Sequence, residues 1–482
     1  MGRKIEKIQK ITPTPKSSPL LLKEETQRWL SKESIKMSTN LIRFKFVQMK
    51  ILLISIMTLN FTFGQNPLPR NLTADEKTRL HEIGISRTIT DPPDSVVYAP
   101  AEFDSVAGII FAWESYYTLL TDLIKEVAEE DTAWVVVDNA NEATSASATL
   151  SGNGVNMNNV VFQQIPTNSV WIRDYGPWWI YQPDGSRAVL DLVYNRPRPQ
   201  DDAYPENLAA EWNIDYYGLG LVEAGGNMLL DGTGNVFISD VIFDASQGFD
   251  PNLTQDQLDE YFLDYYGVEN VIITDHLEYD GTGHIDMFVK VINDSTVIVG
   301  EYTSSTAGAG NNYNICNNVA AQISGLTNGN GRPYTVVRML MPPYSGGVTY
   351  TYINSLIANK KVFVPIYGFS TDADVLTQYE QLMPGYEIIG YDCNQIIPAN
   401  GAIHCIAMKV PAMLPQDSCA QWSKGDVNTD EVVDIMDVLT TVDIILDAGE
   451  IEPCVQFAAD MNEDGDVTFF DIIQILNIIM DL

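Results

Sequence analysis

Cys405 stands in Gly401-Ala402-Ile403-His404-Cys405-Ile406-Ala407-Met408, an apolar stretch that follows a glycine turn and runs towards Pro411. Its alternation predicts a strand with Ile403, Cys405 and Ala407 on one face and His404 and Ile406 on the other. A thiol fixed just past a flexible loop can act as a nucleophile, although a free cysteine is also a small buried hydrophobe. The chain has four histidines: His81, His276, His284 and His404. His404 is next to the thiol in sequence, but its strand position turns it to the opposite face, which makes it a poor base. His284 is the better candidate, in Asp280-Gly-Thr-Gly-His284-Ile-Asp286-Met-Phe. Gly281 and Gly283 form a turn, and His284 and Asp286 then share one face of the entering strand. An imidazole beside a carboxylate suits proton transfer next to a bound cation.

A third segment, Val170-Trp171-Ile172-Arg173-Asp174-Tyr175-Gly176-Pro177-Trp178-Trp179, sets a carboxylate among aromatic rings. Asp174 with Trp171 beside it can receive a planar cation, a bidentate acceptor with ring faces around it. The competing reading is a local ion pair of Asp174 with Arg173. Downstream, Tyr194-Asn195-Arg196-Pro197-Arg198-Pro199 spaces two arginines along an extended, proline-rich stretch. Arg196 and Arg198 can converge on one carboxylate, or pair at the surface with Asp201 and Asp202.

The elements that must position these groups alternate. Val106–Ala112 reads as a strand and Tyr116–Glu129 as a helix. Met287–Ile292 and Val297–Glu301 flank a polar turn and read as a hairpin. Lys361–Pro365 (strand), Asp372–Met383 (helix) and Tyr386–Gly390 (strand) lead to the Cys405 segment. Such alternation predicts an α/β domain over residues 66–411. Residues 412–424, polar with little periodicity, read as a linker.

Residues 425–482 hold a duplication with a period of 34 residues. Asp426, Asn428, Asp430 and Asp437 occupy positions 1, 3, 5 and 12 of a loop, and Asp460, Asn462, Asp464 and Asp471 repeat the set. Oxygen ligands at that spacing suit Ca²⁺. Two acidic helix caps are the bland alternative. Position 6 is Gly465 in the second loop but Glu431 in the first, so the first loop is expected to bind more weakly.

Five cysteines are an odd number: Cys316, Cys393, Cys405, Cys419 and Cys454. In an oxidising compartment a Cys419–Cys454 clip and a Cys316–Cys393 pair would leave Cys405 free. That compartment is expected from residues 1–64, which read as a leader. A basic stretch precedes Met49-Lys50, then comes the apolar run Ile51–Leu59, long enough for a signal-peptide core but too short to span a bilayer. Translation is expected to start at Met49 or Met37, with cleavage near Gly64/Gln65 and export of the mature protein; a single membrane anchor is the alternative.

The leader holds 12 Lys/Arg and 4 Asp/Glu of the chain's 28 and 64, leaving 16 basic and 60 acidic residues and a net charge of −44. Nucleic acid is a poor partner for such a surface, whereas cationic substrates and divalent cations are attracted. Solubility alone would also account for the charge.

Several ordered motifs resemble the bacterial-type peptidylarginine deiminase and agmatine deiminase family. They are Trp171-x-Arg-Asp-x-Gly-Pro177, Gly225-Gly-Asn227 with Asp231-Gly232, Gly283-His-Ile-Asp286, Tyr352-Ile-Asn-Ser355 with Val362-Phe-Val-Pro365, and Gly401-Ala-Ile-His-Cys405. The duplicated tail resembles a dockerin type I module, which implies a cohesin-like docking partner. The first resemblance implies the pentein fold, a five-bladed pseudo-symmetric α/β propeller, followed here by a small all-α calcium-binding module.

The same resemblance implies guanidine chemistry without a metal or organic cofactor. Cys405 would attack the guanidinium carbon, and His284 would protonate departing ammonia and then activate water. Asp174 and Asp286 would hold the guanidinium, and Asn354 would support the site. A cationic substrate and a protonated His284 would favour the Cys405 thiolate.

In the peptide branch of the family, a pair matching Arg196 and Arg198 grips a C-terminal carboxylate, so peptides ending in arginine are the expected substrates and citrulline the product. Agmatine, giving N-carbamoylputrescine on a route to putrescine, is the alternative, and Gly281-Thr-Gly283 looks closer to that branch. A reading of another class is a scaffold protein that binds arginine-rich tails without turnover.

Overall fold

The computed structural model describes residues 67–482 apart from Ser86, residues 305–310, 414–422, 429–431, 447–452, 463–464, 466 and 481–482. The leader therefore lies outside the described residues. Among those described, no helix is long and apolar enough to cross a membrane.

Five small sheets are built to one plan. In the first, β1 (Val106–Ala112), β2 (Thr132–Val137) and β3 (Val160–Gln164) are parallel and joined by helices α1 (Tyr117–Val127) and α2 (Ala140–Gly152). The second sheet has β4 (Trp178–Tyr181) antiparallel to β5 (Arg187–Tyr194), which crosses through α3 (Tyr204–Trp212) to parallel β6 (Tyr216–Glu223). The third repeats this with β7 (Met228–Leu230), β8 (Asn235–Ser239), α4 (Gln255–Tyr266) and β9 (Asn270–Thr274). The fourth uses β10 (Val289–Asn293), β11 (Thr296–Glu301), α5 (Asn312–Ser324) and β12 (Thr335–Leu340). The fifth uses β13 (Leu356–Ala358), β14 (Lys361–Ile366), α6 (Asp372–Leu382) and β15 (Glu387–Asp392). The first sheet lacks a preceding antiparallel strand, and β16 (Met408–Pro411), from the far end of the domain, supplies it by pairing antiparallel with β1.

The expected strands and helices fall within a few residues of these bounds because their apolar periods are strong. Val106–Ala112 carries six buried residues of seven, the pattern of a strand covered on both faces. Helix α1 turns Leu120, Leu123, Ile124 and Val127 inward at helical spacing. Helix α4 opens with a capping box in which Thr254 and Gln257 satisfy each other's backbone amides, and it closes at Gly267 in the left-handed region.

Trp171 is fully buried in a hydrophobic cluster that draws on the first, fourth and fifth sheets. Truncating such a side chain to alanine costs about 3–5 kcal/mol. The expected Cys316–Cys393 bond is absent: both are free, buried thiols. Burial pushes both thiols up, to about 12 for Cys316, so they act as apolar filling. The Cys419–Cys454 pair lies outside the described residues.

At the C-terminal end, α7 (Ile435–Leu446), α8 (Pro453–Ala459) and α9 (Phe469–Ile479) enclose a small core of Val427, Val438, Ala458, Ala459, Ile472 and Ile475.

Candidate active site

The central side chains come from turns between strands. Trp171 leads into a single helical turn, Ile172–Tyr175, that presents Asp174. That turn ends at Gly176, where a Cβ would stand 2.3 Å from the Ile172 carbonyl. His284 caps a 3₁₀ turn, Ile285–Met287, that carries Asp286. Gly281 and Gly283 precede it at φ +85° and +73°, a region glycine enters without strain. Cys405 sits in another 3₁₀ turn, His404–Ile406, and β16 begins only at Met408.

The strand expected for His284 and Asp286, and the one expected for Cys405, are therefore both corrected to turns. Alternating apolar residues mark burial on two sides, which these short turns also have. Gly401 makes the close approach possible, since a Cβ there would lie 3.0 Å from Cys405 Sγ and 2.5 Å from the Trp171 ring.

Between Asp174 and Asp286 lies a guanidinium, that of Arg70. Its Nε and Nη2 donate to Asp174 Oδ2 and Oδ1 at 2.9 and 2.8 Å. Its Nη1 and Nη2 donate to Asp286 Oδ1 and Oδ2 at 3.1 Å each. Both edges of the planar cation are thus met by bidentate carboxylates, the geometry that matches guanidinium best. Gly226 forms the wall: its amide donates to Asp174 Oδ1 at 3.2 Å, and a Cβ on it would sit 1.7 Å from Arg70 Nη2. Burial alone would raise both carboxyls, but Arg70 outweighs it, assisted by His284 at Asp174 and by His404 at Asp286. Asp174 is held well below the usual range and Asp286 at about 2.

The thiol and the guanidinium share an acceptor. Cys405 Sγ lies 3.7 Å from Asp286 Oδ2 and 3.2 Å from Asn354 Oδ1. Asn354 also accepts from the Ala402 amide and donates to the Asp286 carbonyl, tying the two turns together. His284 Nδ1 faces Asp174 Oδ1 at 3.5 Å, and neither of its ring nitrogens has a hydrogen-bond partner. Burial pushes the Cys405 thiol well up, with Asp286 and Asp174 adding to it and Arg70 opposing. Burial and then Arg70 push His284 down. With Arg70 seated, both directions favour the neutral form, the opposite tendency to the thiolate and imidazolium expected beside a bound cation.

His404 does not turn away from the site. Its ring bridges two acids, with Nδ1 2.8 Å from Asp286 Oδ2 and Nε2 against Glu102. It is a support for Asp286, and Glu102 is fixed in turn by Lys290. Arg173 points to Glu102 and the His404 carbonyl, so the local Arg173–Asp174 pair does not form.

Arg70 belongs to a strap that crosses the site. Trp171 Nε1 donates to the Leu68 carbonyl at 2.8 Å, Arg198 Nη2 to that of Pro69 at 2.7 Å, and Arg196 Nε to that of Arg70 at 3.1 Å. The Arg70 amide donates to the Ala399 carbonyl. Arg196 and Arg198 thus do not converge on one acceptor: Arg198 also takes the Glu76 carboxylate at 2.7 Å. The surface pairs with Asp201 and Asp202 do not form either. Asp201 accepts from the Asn168 and Ser169 amides, and Asp202 pairs with Arg87. Arg196 Nη2 is buried without a hydrogen-bond partner.

Sequence reasoning missed Arg70, Glu76 and Glu102, and it gave Gly226 no role. The one available signal was Pro67-Leu68-Pro69, two prolines that hold the approach to Arg70 extended.

In the C-terminal segment the twelfth-position acids Asp437 and Asp471 are fully buried. Asp437 Oδ1 accepts from the Val427 and Asn428 amides, and Asp471 Oδ1 from those of Met461 and Asn462. Each closing carboxylate is thereby fixed over the start of its loop, and Gly465 lies at φ +88° as position 6 requires. Asp430, Glu431 and Asp464 lie outside the described residues. Among the described residues no group of three or more acids or histidines is placed to hold a metal. The all-oxygen donor set and the fixed closing acids fit Ca²⁺ in kind.

A buried guanidinium seat with a thiol and an unpartnered imidazole beside it, on five αβ sheets, defines an enzyme that hydrolyses C–N bonds in linear amidines. The chain belongs to the Porphyromonas-type peptidyl-arginine deiminase family, whose model matches residues 99–411, and residues 424–480 match the dockerin type I domain. A Vibrio parahaemolyticus protein provisionally named agmatine deiminase is 25% identical over 369 residues, covering 67% of this chain and 99% of its own. A similarly named Selenomonas ruminantium protein is 22% identical, covering 66% and 96%.

Among solved structures, Enterococcus faecalis agmatine deiminase superposes with a TM-score of 0.60 at 21% identity, covering 68% of this chain and all of that one. A provisionally named arginine deiminase from Porphyromonas gingivalis gives 0.59 at 22%, covering 65% and 98%. These likenesses show the α/β deiminase fold.

Proposed function

We propose that the protein is an exported peptidyl-arginine deiminase that converts the C-terminal arginine of peptides to citrulline and ammonia. The observation that carries this reading is the seating of a peptide-linked arginine with both carboxylates on its guanidinium and Arg196 on its carbonyl. At that carbonyl the unpartnered Arg196 Nη2 has room in its hydrogen bonding for the second oxygen of a terminal carboxylate. Agmatine has neither group.

In the proposed mechanism Cys405 Sγ bonds to the guanidinium carbon and passes its proton to His284. Ammonia leaves with that proton as the C–N bond breaks, and a thiouronium remains. His284 then takes a proton from water, which attacks the same carbon and releases the thiol and the ureido product. Asp174 and Asp286 orient the carbon, and Asn354 holds the thiol. No metal or organic cofactor has a place in these steps.

The five repeats, with β16 closing on β1, support a five-bladed pentein propeller. The C-terminal segment is proposed to bind Ca²⁺ through its two loops and to dock to a cohesin-like partner, which accords with a secreted or surface-held enzyme.

Agmatine is the second reading, favoured by the names of the relatives. One assay separates them: peptides ending in arginine, peptides with internal arginine, and agmatine are offered, and ureido product and ammonia are measured. Preference for terminal arginine supports the proposal, and preference for agmatine replaces it. Absence of ureido product from all three leaves only arginine-tail binding, and equal product from Cys405→Ala removes Cys405 from the reaction.

A further inference from the structure

We propose that Arg70 is the protein's own first substrate, a self-deimination site whose conversion frees the active site for peptides. The inference rests on the deiminase reading above and adds a cis substrate to it. Arg70 is fully buried, and its guanidinium fills the seat between Asp174 and Asp286 with Cys405 on the shared Asp286 oxygen. Among the described residues its ion-pair partners are Asp174 and Asp286. The contacts on the flanking backbone, from Trp171, Arg198, Arg196 and Ala399, are of the kind a substrate peptide would make. Arg198 with Glu76 and Arg79 with the Pro197 carbonyl fasten the strap beyond it. While it lies there no other guanidine can enter.

The chemistry balances without a co-reactant. The S–C bond forms as a C–N bond of Arg70 breaks, and ammonia leaves with the thiol proton. Water then supplies the oxygen as the S–C bond breaks and the thiol is restored. The net change is guanidinium and water to ureido group and ammonium.

The product binds differently from the reactant. A ureido group is neutral and has lost donors, so two buried carboxylates are left facing each other with no countercharge, which is unfavourable. They regain a partner if the strap leaves and a cationic side chain replaces it. Arg70 continues into the chain on both sides, so Arg196 Nη2 lacks the acceptor that a terminal carboxylate would give it. Arg70 is therefore a slow substrate, turned over once.

The test uses the full chain, freshly purified and followed by peptide mass mapping at position 70 alongside ureido production from a peptide ending in arginine. Arg70 is expected to become citrulline at a rate independent of protein concentration and to stay arginine in Cys405→Ala. Peptide turnover is expected to show a lag matching that conversion. Arg70→Gln, neutral like citrulline, should abolish the lag. Arg70→Lys, cationic without a guanidine carbon, should remain latent, with peptide turnover at least tenfold below Arg70→Gln. Arginine intact at position 70 in protein that converts added peptides would overturn this inference and leave the proposed function standing. So would conversion that scales with protein concentration. Citrulline at position 70 with no turnover of any added peptide would overturn both the freeing of the site proposed here and the peptide substrate of the proposed function.

Discussion

Gly226 gives the sharpest test of the guanidinium seat. Its backbone does not lie in the left-handed region, so alanine is conformationally allowed there. The added methyl would nevertheless stand 1.7 Å from Arg70 Nη2, 3.0 Å from its Cζ and 2.6 Å from Asp174 Oδ1. Nη2 is the atom that both carboxylates share, at 2.8 and 3.1 Å. Gly226→Ala therefore removes at least two charge-assisted hydrogen bonds from any guanidine in this seat. At about 1.5–3 kcal/mol each the loss is about 3–6 kcal/mol, which is about 10²–10⁴-fold in kcat/KM. Ureido production from a peptide ending in arginine measures it, and a thermal melt confirms the fold. Gly152→Ala, where a Cβ meets nothing within 4 Å, is the control and should be neutral. A Gly226→Ala enzyme that keeps more than a tenth of the wild-type kcat/KM would refute the placement of the substrate.

Other outcomes follow from the same geometry. Arg196→Gln should lower kcat/KM for peptides ending in arginine by about 10–100-fold, the loss of a hydrogen bond to a charged group, while agmatine turnover changes little. Cys405→Ala should bring ureido production to the assay background and leave the melting temperature near that of the wild type. Asp286 is held at about 2 against an ordinary 3.8, so it contributes on the order of 2 kcal/mol of stability above pH 4, lost as pH falls through 2. Acid melts should show that loss in Cys405→Ala, which keeps arginine at position 70, and less of it in Arg70→Gln, which lacks the cation responsible. Chelating Ca²⁺ should lower protease resistance in residues 424–480 and spare deiminase activity, measured on one sample.

The strands were legible because their apolar runs are dense and short. The candidate site residues Asp174, His284, Asp286, Asn354 and Cys405 stood out as motifs, and they lie close together in the structure. Their secondary structure was not legible, because a two-sided buried turn such as His404–Ile406 carries the same apolar alternation as a strand. His404 was misjudged for the same reason, since a one-residue difference in backbone path reverses the face of a side chain. Glu102 was invisible: its partners Lys290 and His404 lie 188 and 302 residues away. Arg70 was hidden differently. It lies outside the matched residues 99–411, and a single arginine after two prolines gives no hint that a carboxylate pair more than 100 residues on will hold it.

The pairing of β16 with β1 ties Cys405 to the order of synthesis. Val106 meets Pro411 across that register, and Cys405 enters the site on the segment leading into the closing strand. A ribosome that has released everything up to residue 400 has delivered Asp174, His284 and Asp286 but not Cys405. The gap between β1 and its partner is also a long loop to close, and closing it carries the entropic cost of its length. On the proposed mechanism, guanidine chemistry then waits for β16 to pair with β1, and chains truncated before Cys405 are expected to lack it.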